Sequence, residues 1–303
     1  MKQYPFNIHR RVVANKTLEG WEGTPHVSIL VDLDVTELVP FVRRLSQHPD
    51  FAEVRVTINS VMLKIIAEGM KHSPEMNAHI QYDASTSIGS MSVSDEVHIA
   101  TPMLARDKRM ITPVVKHVNR KSLREICLDM EDIKRRMRNT DTECLLYRAA
   151  LQDTLRRLRE GQWWMTARRL SANLIGRARL SSPTRAQLRA YARASAKDQI
   201  LPEELLNATT LVSNIGGALP EARARFGLLE IIPPQTCAIG LASIQRQPLA
   251  ITREDGSSEV AVRDVLPMSV CFDHRAMDFE HSVGFLREIT RLSTRPEELA
   301  SLG

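Results

Sequence analysis

From His26 the chain reads Val27-Ser28-Ile29-Leu30-Val31-Asp32-Leu33, an apolar run broken by isolated polar residues, which predicts a strand. Asp34-Val35-Thr36-Glu37 follows, where a capping residue opens a helix ending near His48. Asn59 to His72 then places Val61, Met62, Ile65, Ile66 and Met70 at the 3.6-residue spacing of a helix lying on a core. Its opposite face is expected to carry Lys64, Glu68 and Lys71 into solvent. Glu96 to Val115 alternates short apolar segments with Arg106, Asp107, Lys108 and Arg109, which predicts two strands around a loop. Ser122 with Glu125 forms a capping box that opens another helix.

Later, Thr209 to Ser213, Cys237 to Ser243 and Leu266 to Phe272 read as strands, and Glu280 to Arg287 as the start of a helix. Helices and strands are mixed, with most strands late in the chain, so the expected class is α/β: a layer of sheet covered by helices. Gly216-Gly217 lacks the spacing of a phosphate loop and is read as a turn. No repeat or low-complexity tract interrupts the pattern, and residues 1–303 are expected to form a single domain.

Composition adds limits. No apolar run is long enough to span a bilayer and Met1 to Arg11 lacks the apolar stretch of a secretion signal, so the expected compartment is the cytoplasm. Cysteines 127, 144, 237 and 271 show neither paired nor metal-ligand spacing; reduced, buried thiols are expected and no metal. The net charge of +5 is uneven: residues 141–195 hold eleven Arg, no Lys and four acids, +7, which leaves −2 elsewhere.

The candidate chemistry centres on Phe272-Asp273-His274-Arg275-Ala276-Met277-Asp278-Phe279. An imidazole that titrates near neutrality can take a proton from a thiol or hydroxyl that must become a nucleophile, so His274 is a candidate base. The alternative is a strand-end histidine satisfied by local hydrogen bonds. Asp278, four residues on, either supports the site or caps the following helix.

Separated segments together resemble the catalytic domain of the dihydrolipoamide acyltransferases of 2-oxo acid dehydrogenase complexes, which is similar in fold to chloramphenicol acetyltransferase. These are Arg10-Arg11-Val12-Val13-Ala14 with Trp21, Pro25 and His26; Asn59 to Ala78; Ile111-Thr112-Pro113-Val114-Val115 with Lys121-Ser122-Leu123; Thr210 to Gly216; and Asp273-His274-Arg275 with Asp278. The resemblance implies a two-layer sandwich of mixed sheet and helices, a homotrimer or larger cage with sites between subunits, and transfer of an acyl group between coenzyme A and a thiol or small-molecule acceptor. It makes His274 the general base and Ser213 the hydroxyl that stabilises the oxyanion, with Asn214 beside it. Asp278 would hold the site together through Arg10 or Arg11. A turn serine bonded to nearby backbone is the alternative for Ser213.

Three departures qualify this. Phe279 stands where the family has glycine, and an aromatic ring there shifts the turn, fills space beside His274 or marks lost catalysis. The chain opens directly on the catalytic segments, so a lipoyl group is expected only from another chain, with a lipoyl-bearing or dehydrogenase partner, or else acyl-CoA is the donor. Residues 141–198 exceed the family's usual connector and read as an arginine-rich helical insertion, with Leu151, Leu155 and Leu158 and then Trp164, Leu170, Leu174 and Ile175 near helical spacing and Trp163 beside Trp164. That insertion is either a solvated helical excursion or a surface for an acidic partner or an anionic membrane. Nucleic acid is not expected, because no binding motif accompanies the charge. A catalytically impaired trimeric scaffold docking through this insertion is the rival to an enzyme.

Overall fold

The computed structural model describes residues 2, 4, 6–159, 161, 163, 167, 182–217, 221–252 and 255–301. The chain divides into two compact units, Met1–Glu19 with Met103–Pro113 and Ile133–Leu206, and Gly20–Pro102 with Val114–Asp132 and Asn207–Gly303.

The second unit holds a seven-stranded mixed sheet. Strand β1 (His26–Asp34) pairs antiparallel with the far half of a sixteen-residue strand, β11 (Ser258–Asp273), whose near half pairs with β10 (Gln245–Thr252). On its other side β11 pairs with β9 (Cys237–Leu241), which runs parallel to β8 (Thr210–Asn214). The short strands β4 (Ile99–Ala100) and β7 (Val114–Val115) close that edge. A separate hairpin of β2 (Ala78–Asp83) and β3 (Ile88–Val93) also belongs to this unit. Leu266, Met268, Val270, Cys271 and Phe272 make Leu266 to Phe272 mostly apolar, and that stretch of β11 is buried on both faces, as a central strand requires.

Helix α2 (Leu38–Gln47) follows β1, and α3 (Ile58–Met70) opens on a capping box of Thr57 and Ser60. Eleven of the thirteen residues of α3 are buried, among them Lys64 at 1 % and Glu68 at 4 % exposure, which corrects the expected solvated face. Burying these charges is tolerated because they neutralise one another: Lys64 Nζ lies 3.0 Å from Glu68 and donates to the Lys121 carbonyl at 2.8 Å, while Lys71 reaches the other Glu68 oxygen at 2.6 Å. Lys71 alone of the three is substantially exposed.

The first unit contains the N-terminal part of α1 (Ile8–Gly23), the hairpin of β5 (Met103–Leu104) and β6 (Met110–Ile111), and helices α5 (Thr142–Arg159) and α6 (Arg185–Arg193). Helix α4 (Leu123–Asn139) has residues in each unit and is started by the predicted box in which Ser122 N donates to Glu125 at 2.8 Å. The predicted pair of strands over Glu96 to Val115 is thus four two-residue strands, β4 and β7 in the sheet and β5 and β6 around the 106–109 loop. The arginine-rich 141–198 stretch falls in the first unit; Tyr191 of α6 is buried there, its hydroxyl donating to the Ile200 carbonyl at 2.6 Å, and Arg148 stands over its ring. Trp164, Leu170, Leu174 and Ile175 lie outside the described residues. Among those described, no helix is long and apolar enough to cross a membrane.

The last helix, α7 (Phe279–Thr294), packs against α3 through Phe285, Ile289 and Leu292. Close approach here depends on Gly284, where an added Cβ would meet the His72 carbonyl oxygen at 2.1 Å. All four cysteines are free and buried, and burial pushes the Cys237 thiol up to about 12 and Cys144 to about 11. Because the Gly284 obstacle is backbone, Gly284→Ala should destabilise the fold by about 1–3 kcal/mol, read as a lower midpoint in urea; an unchanged midpoint would show that the helices part freely.

Candidate active site

His274 follows the last residue of β11, and the turn that carries it is built from local bonds. Asp273 N donates to the Thr236 carbonyl at 2.9 Å, His274 N to the Pro25 carbonyl at 2.9 Å, and Ala276 N and Met277 N both reach the Asp273 carbonyl. The His274 ring is half exposed; it meets Phe272 edge-on with centroids 6.0 Å apart, and its Nδ1 lies 3.3 Å from Asp278 Oδ1. A carboxylate on the Nδ1 side favours the tautomer that carries its proton there and leaves the Nε2 lone pair free.

Asp278 is the N-cap residue of α7, yet its carboxylate makes no capping hydrogen bond. The cap is instead served in reverse, with Asp278 N donating to His281 Nδ1 at 3.1 Å. Its carboxylate lies on the His274 side of the turn. Asp273 and Arg275, quoted in the sequence only as parts of a motif, form the tightest ion pair of the turn: the guanidinium grips both carboxylate oxygens, the closest at 2.6 Å.

Ser213 occupies the penultimate position of β8, and its hydroxyl makes no side-chain hydrogen bond among the described residues. Asn214 beside it is held from two sides, donating to Asn59 Oδ1 at 3.0 Å and accepting from Gly216 N at 2.8 Å. Register fixes how far Ser213 stands from His274. Ser213 pairs with Gly240 and Gly240 with Ser269, so His274 is five residues along and two strands across. At strand dimensions that separation is about 20 Å within one chain.

Arg10 and Arg11 belong to the first unit, on α1, where Arg10 N donates to Asn7 Oδ1 at 2.9 Å and Arg11 Nε to the Phe6 carbonyl at 3.3 Å. His274, Asp278, Ser213 and Asn214 all belong to the second. Phe279 is 57 % exposed and lines an open groove along α7 with Val283, Leu286 and Arg287; the ring that meets His274 edge-on is Phe272.

Two clusters have the donor set for a cation, Glu96 with His98 and His117, and Asp278 with Glu280 and His281. In the first, His117 N donates to His98 Nδ1 at 3.0 Å, so the neutral His98 carries its proton on Nε2, the atom that would have to ligate. Glu96 is already shared by His117 Nδ1 at 2.9 Å and Arg120 at 3.1 Å. This cluster reads as a hydrogen-bonded corner. In the second, His281 Nδ1 is occupied by the Asp278 N–H and two of its three members are exposed.

Compared with known proteins, the chain matches the family model described as 2-oxoacid dehydrogenases acyltransferase (catalytic domain) over residues 1–144 and 181–301. It is 20 % identical over 291 residues to the dihydrolipoyllysine-residue acetyltransferase component of the pyruvate dehydrogenase complex of Zymomonas mobilis, covering 95 % of this chain and 48 % of that protein. The chain thus spans about half the length of the curated relatives it matches. Among solved structures it resembles the dihydrolipoamide acetyltransferase of Azotobacter vinelandii, with TM-score 0.66, 18 % identity, and coverage of 99 % and 93 % of the two chains. A truncated catalytic core of the 2-oxoacid dehydrogenase multienzyme complex from Thermoplasma acidophilum gives TM-score 0.61 at 17 % identity, covering 98 % and 99 %.

The histidine corner sets one acid limit of stability. Burial, then the neighbouring His117, hold the His98 pKa below its ordinary 6.5, against the opposing pull of Glu96. The unfolded chain therefore binds this proton first, so the contribution is complete above about pH 6.5 and is lost as pH falls below it. His98→Asn, which keeps an acceptor for the His117 N–H, should lose less melting temperature than the wild type between pH 7 and roughly 5.5; equal losses would remove His98 from the acid response.

Proposed function

The chain belongs to the 2-oxoacid dehydrogenases acyltransferase (catalytic domain) family, and we propose that it moves an acyl group between coenzyme A and a thiol or small-molecule acceptor, with His274 as general base and Ser213 as oxyanion donor. The observation that carries this reading is the His274 turn: a carboxylate lies beside Nδ1, which leaves Nε2 available to take the proton of an attacking thiol. A thiol is mostly protonated at neutral pH, so a base at the point of attack raises its nucleophilic fraction as it meets the thioester carbonyl. The unengaged hydroxyl of Ser213 suits a donor aimed at the charge that develops on that carbonyl oxygen. Asn214, clamped at both ends of its amide, keeps the end of β8 in place.

The related Azotobacter vinelandii structure was made to investigate a serine, a histidine and an asparagine four residues beyond that histidine in the catalytic mechanism. This chain has His274 and, at the same spacing, Asp278, a carboxylate of the same length as the asparagine, with Ser213 upstream. Base and donor must flank one carbonyl within a few ångströms, which a separation of about 20 Å in one chain does not permit. The site is therefore shared between two copies, with His274 from one and Ser213 from the next, in a trimer or larger core; a solved relative is a cubic core of the pyruvate dehydrogenase multienzyme complex. The acyl donor is coenzyme A or a lipoyl group brought by another chain. The break in the family match at residues 145–180 supports reading the arginine-rich stretch as an insertion, and its net positive charge suits an acidic protein partner.

The exposed Phe279 ring leaves the enzyme reading ahead of the impaired scaffold. His274→Ala should lower acyl transfer from an acyl-CoA panel about 10²- to 10⁴-fold, and Ser213→Ala about 10²- to 10³-fold. Co-assembly of the two inactive variants separates a shared site from a local one. Random mixing leaves roughly a quarter of the sites with both groups intact, so a corresponding recovery of activity is expected; no recovery would confine each site to one chain, full activity in the His274 variant would remove His274 as the base, and no transfer by the wild type would favour the scaffold.

A further inference from the structure

Nothing about His274 requires that its neighbours be charged, yet the residues on both sides of it form an ion pair in which the acid is completely buried. Asp273 is 0 % exposed. Arg275 reaches back over His274 to it with four contacts: its backbone N to Oδ1 at 2.9 Å, Nε to Oδ1 at 3.0 Å and Oδ2 at 3.2 Å, and Nη2 to Oδ2 at 2.6 Å. The outer face of the guanidinium stands over the Tyr82 ring of β2, 5.8 Å from its centroid. The loop so closed has one residue at its apex, His274.

A buried ion pair is a weak source of stability, because desolvation offsets most of the attraction, whereas its fork geometry fixes orientation strongly. The backbone bonds around it run the same way. Asp273 N, His274 N, Ala276 N and Met277 N are all engaged, and with Arg275 N on Asp273 every backbone N–H from 273 to 277 has a partner. The pair also cancels the charge of a cation placed next to a residue that must itself become cationic when it accepts a proton. We propose that the Asp273–Arg275 pair, backed by Tyr82, is the positioning device of the catalytic base: it fixes the His274 backbone so that Nδ1 faces Asp278 and Nε2 faces outward. Asp273 and Arg275 act through His274 and do not touch substrate. This inference rests on the acyl-transfer reading for its consequence in rate, but not for the orientation itself.

The test uses the full chain with Asp273→Asn combined with Arg275→Gln, which removes both charges together and leaves no buried charge unpaired, and Arg275→Lys, which keeps the charge and loses the fork. Both should assemble and melt nearly as the wild type does. The expected result is a kcat lower by about 10- to 100-fold with the KM for acyl-CoA unchanged, since misplacement by about an ångström is costly in rate. It should be accompanied by a change in the 15N spectrum of the His274 imidazole from one fixed tautomer, with the proton on Nδ1, to an averaged one. If the ion-pair variants do not fold, Tyr82→Leu, which removes only the backing ring, should shift the same imidazole signals. An unchanged tautomer in the variants that fold overturns the proposal, as does an unchanged kcat in an active enzyme. If the wild type transfers no acyl group while the tautomer still responds, the acyl-transfer reading fails and the positioning role stands.

Discussion

The register of β11 is the constraint on which the rest of the second unit depends. This strand pairs with β10 over its first half, and with β1 and β9 over its second, so three strands take their alignment from it. A slip of one residue would exchange its two faces, turning Val270 and Phe272 away from one side and Cys271 and Asp273 away from the other. The cost of such a slip is high because Leu266 to Asp273 is buried throughout. His274 inherits that certainty: it is the first residue after a strand with no freedom to shift.

The two faces of this sheet have different covers. Asn214 reaches Asn59 of α3 on one side. On the other, the 226–231 segment lies over Cys271 and Ala238, with Gly227 accepting from Ser28 and Leu229 N donating to the Cys271 sulfur. Gly240 has no room for a side chain there, since a Cβ would stand 2.5 Å from Leu229 and Phe226. Ser213 shares a row with Gly240, so the missing side chain at 240 lets Leu229 and Phe226 pack onto the sheet beside the serine.

Much of this was legible in the chain itself. Apolar runs predicted β1, β8, β9 and the inner half of β11; β9 and the inner half of β11 are buried on both faces, a composition that little else shares, while β1 and β8 are only partly buried. The capping box at Ser122 and Glu125 appeared as read, being a contact across three residues. The hairpin β2–β3 and strand β10 went unpredicted, since their sequences carry polar residues on faces that remain exposed and give no strong apolar signal. Lys64 and Glu68 were misassigned to solvent for a different reason. Helical spacing identifies the face a charge lies on, but whether a second layer covers that face is decided by segments distant in sequence. The same distinction runs through the site. The contact of His274 with Asp278 is local, across four residues, whereas a partner for Asp278 at Arg10 or Arg11 is a long-range inference that helical or strand spacing does not address; the ion pair of Asp273 with Arg275 is again local.

Thioester chemistry poses a hazard to any protein that conducts it, because every accessible cysteine is a competing acceptor for the activated acyl group. Here the four thiols are enclosed, and the two whose acidity is weakened by burial, Cys144 and Cys237, hold their protons far above neutral pH. Cys271 lies on the strand that leads into the proposed base, three residues before it, but its sulfur is turned inward to Leu229 N and the hydroxyls of Ser28 and Ser269. Under the proposed acyl transfer, the interior would work as a quarantine: the four buried thiols are enclosed away from the surface where donor and base would meet, and packing alone would suppress self-acylation.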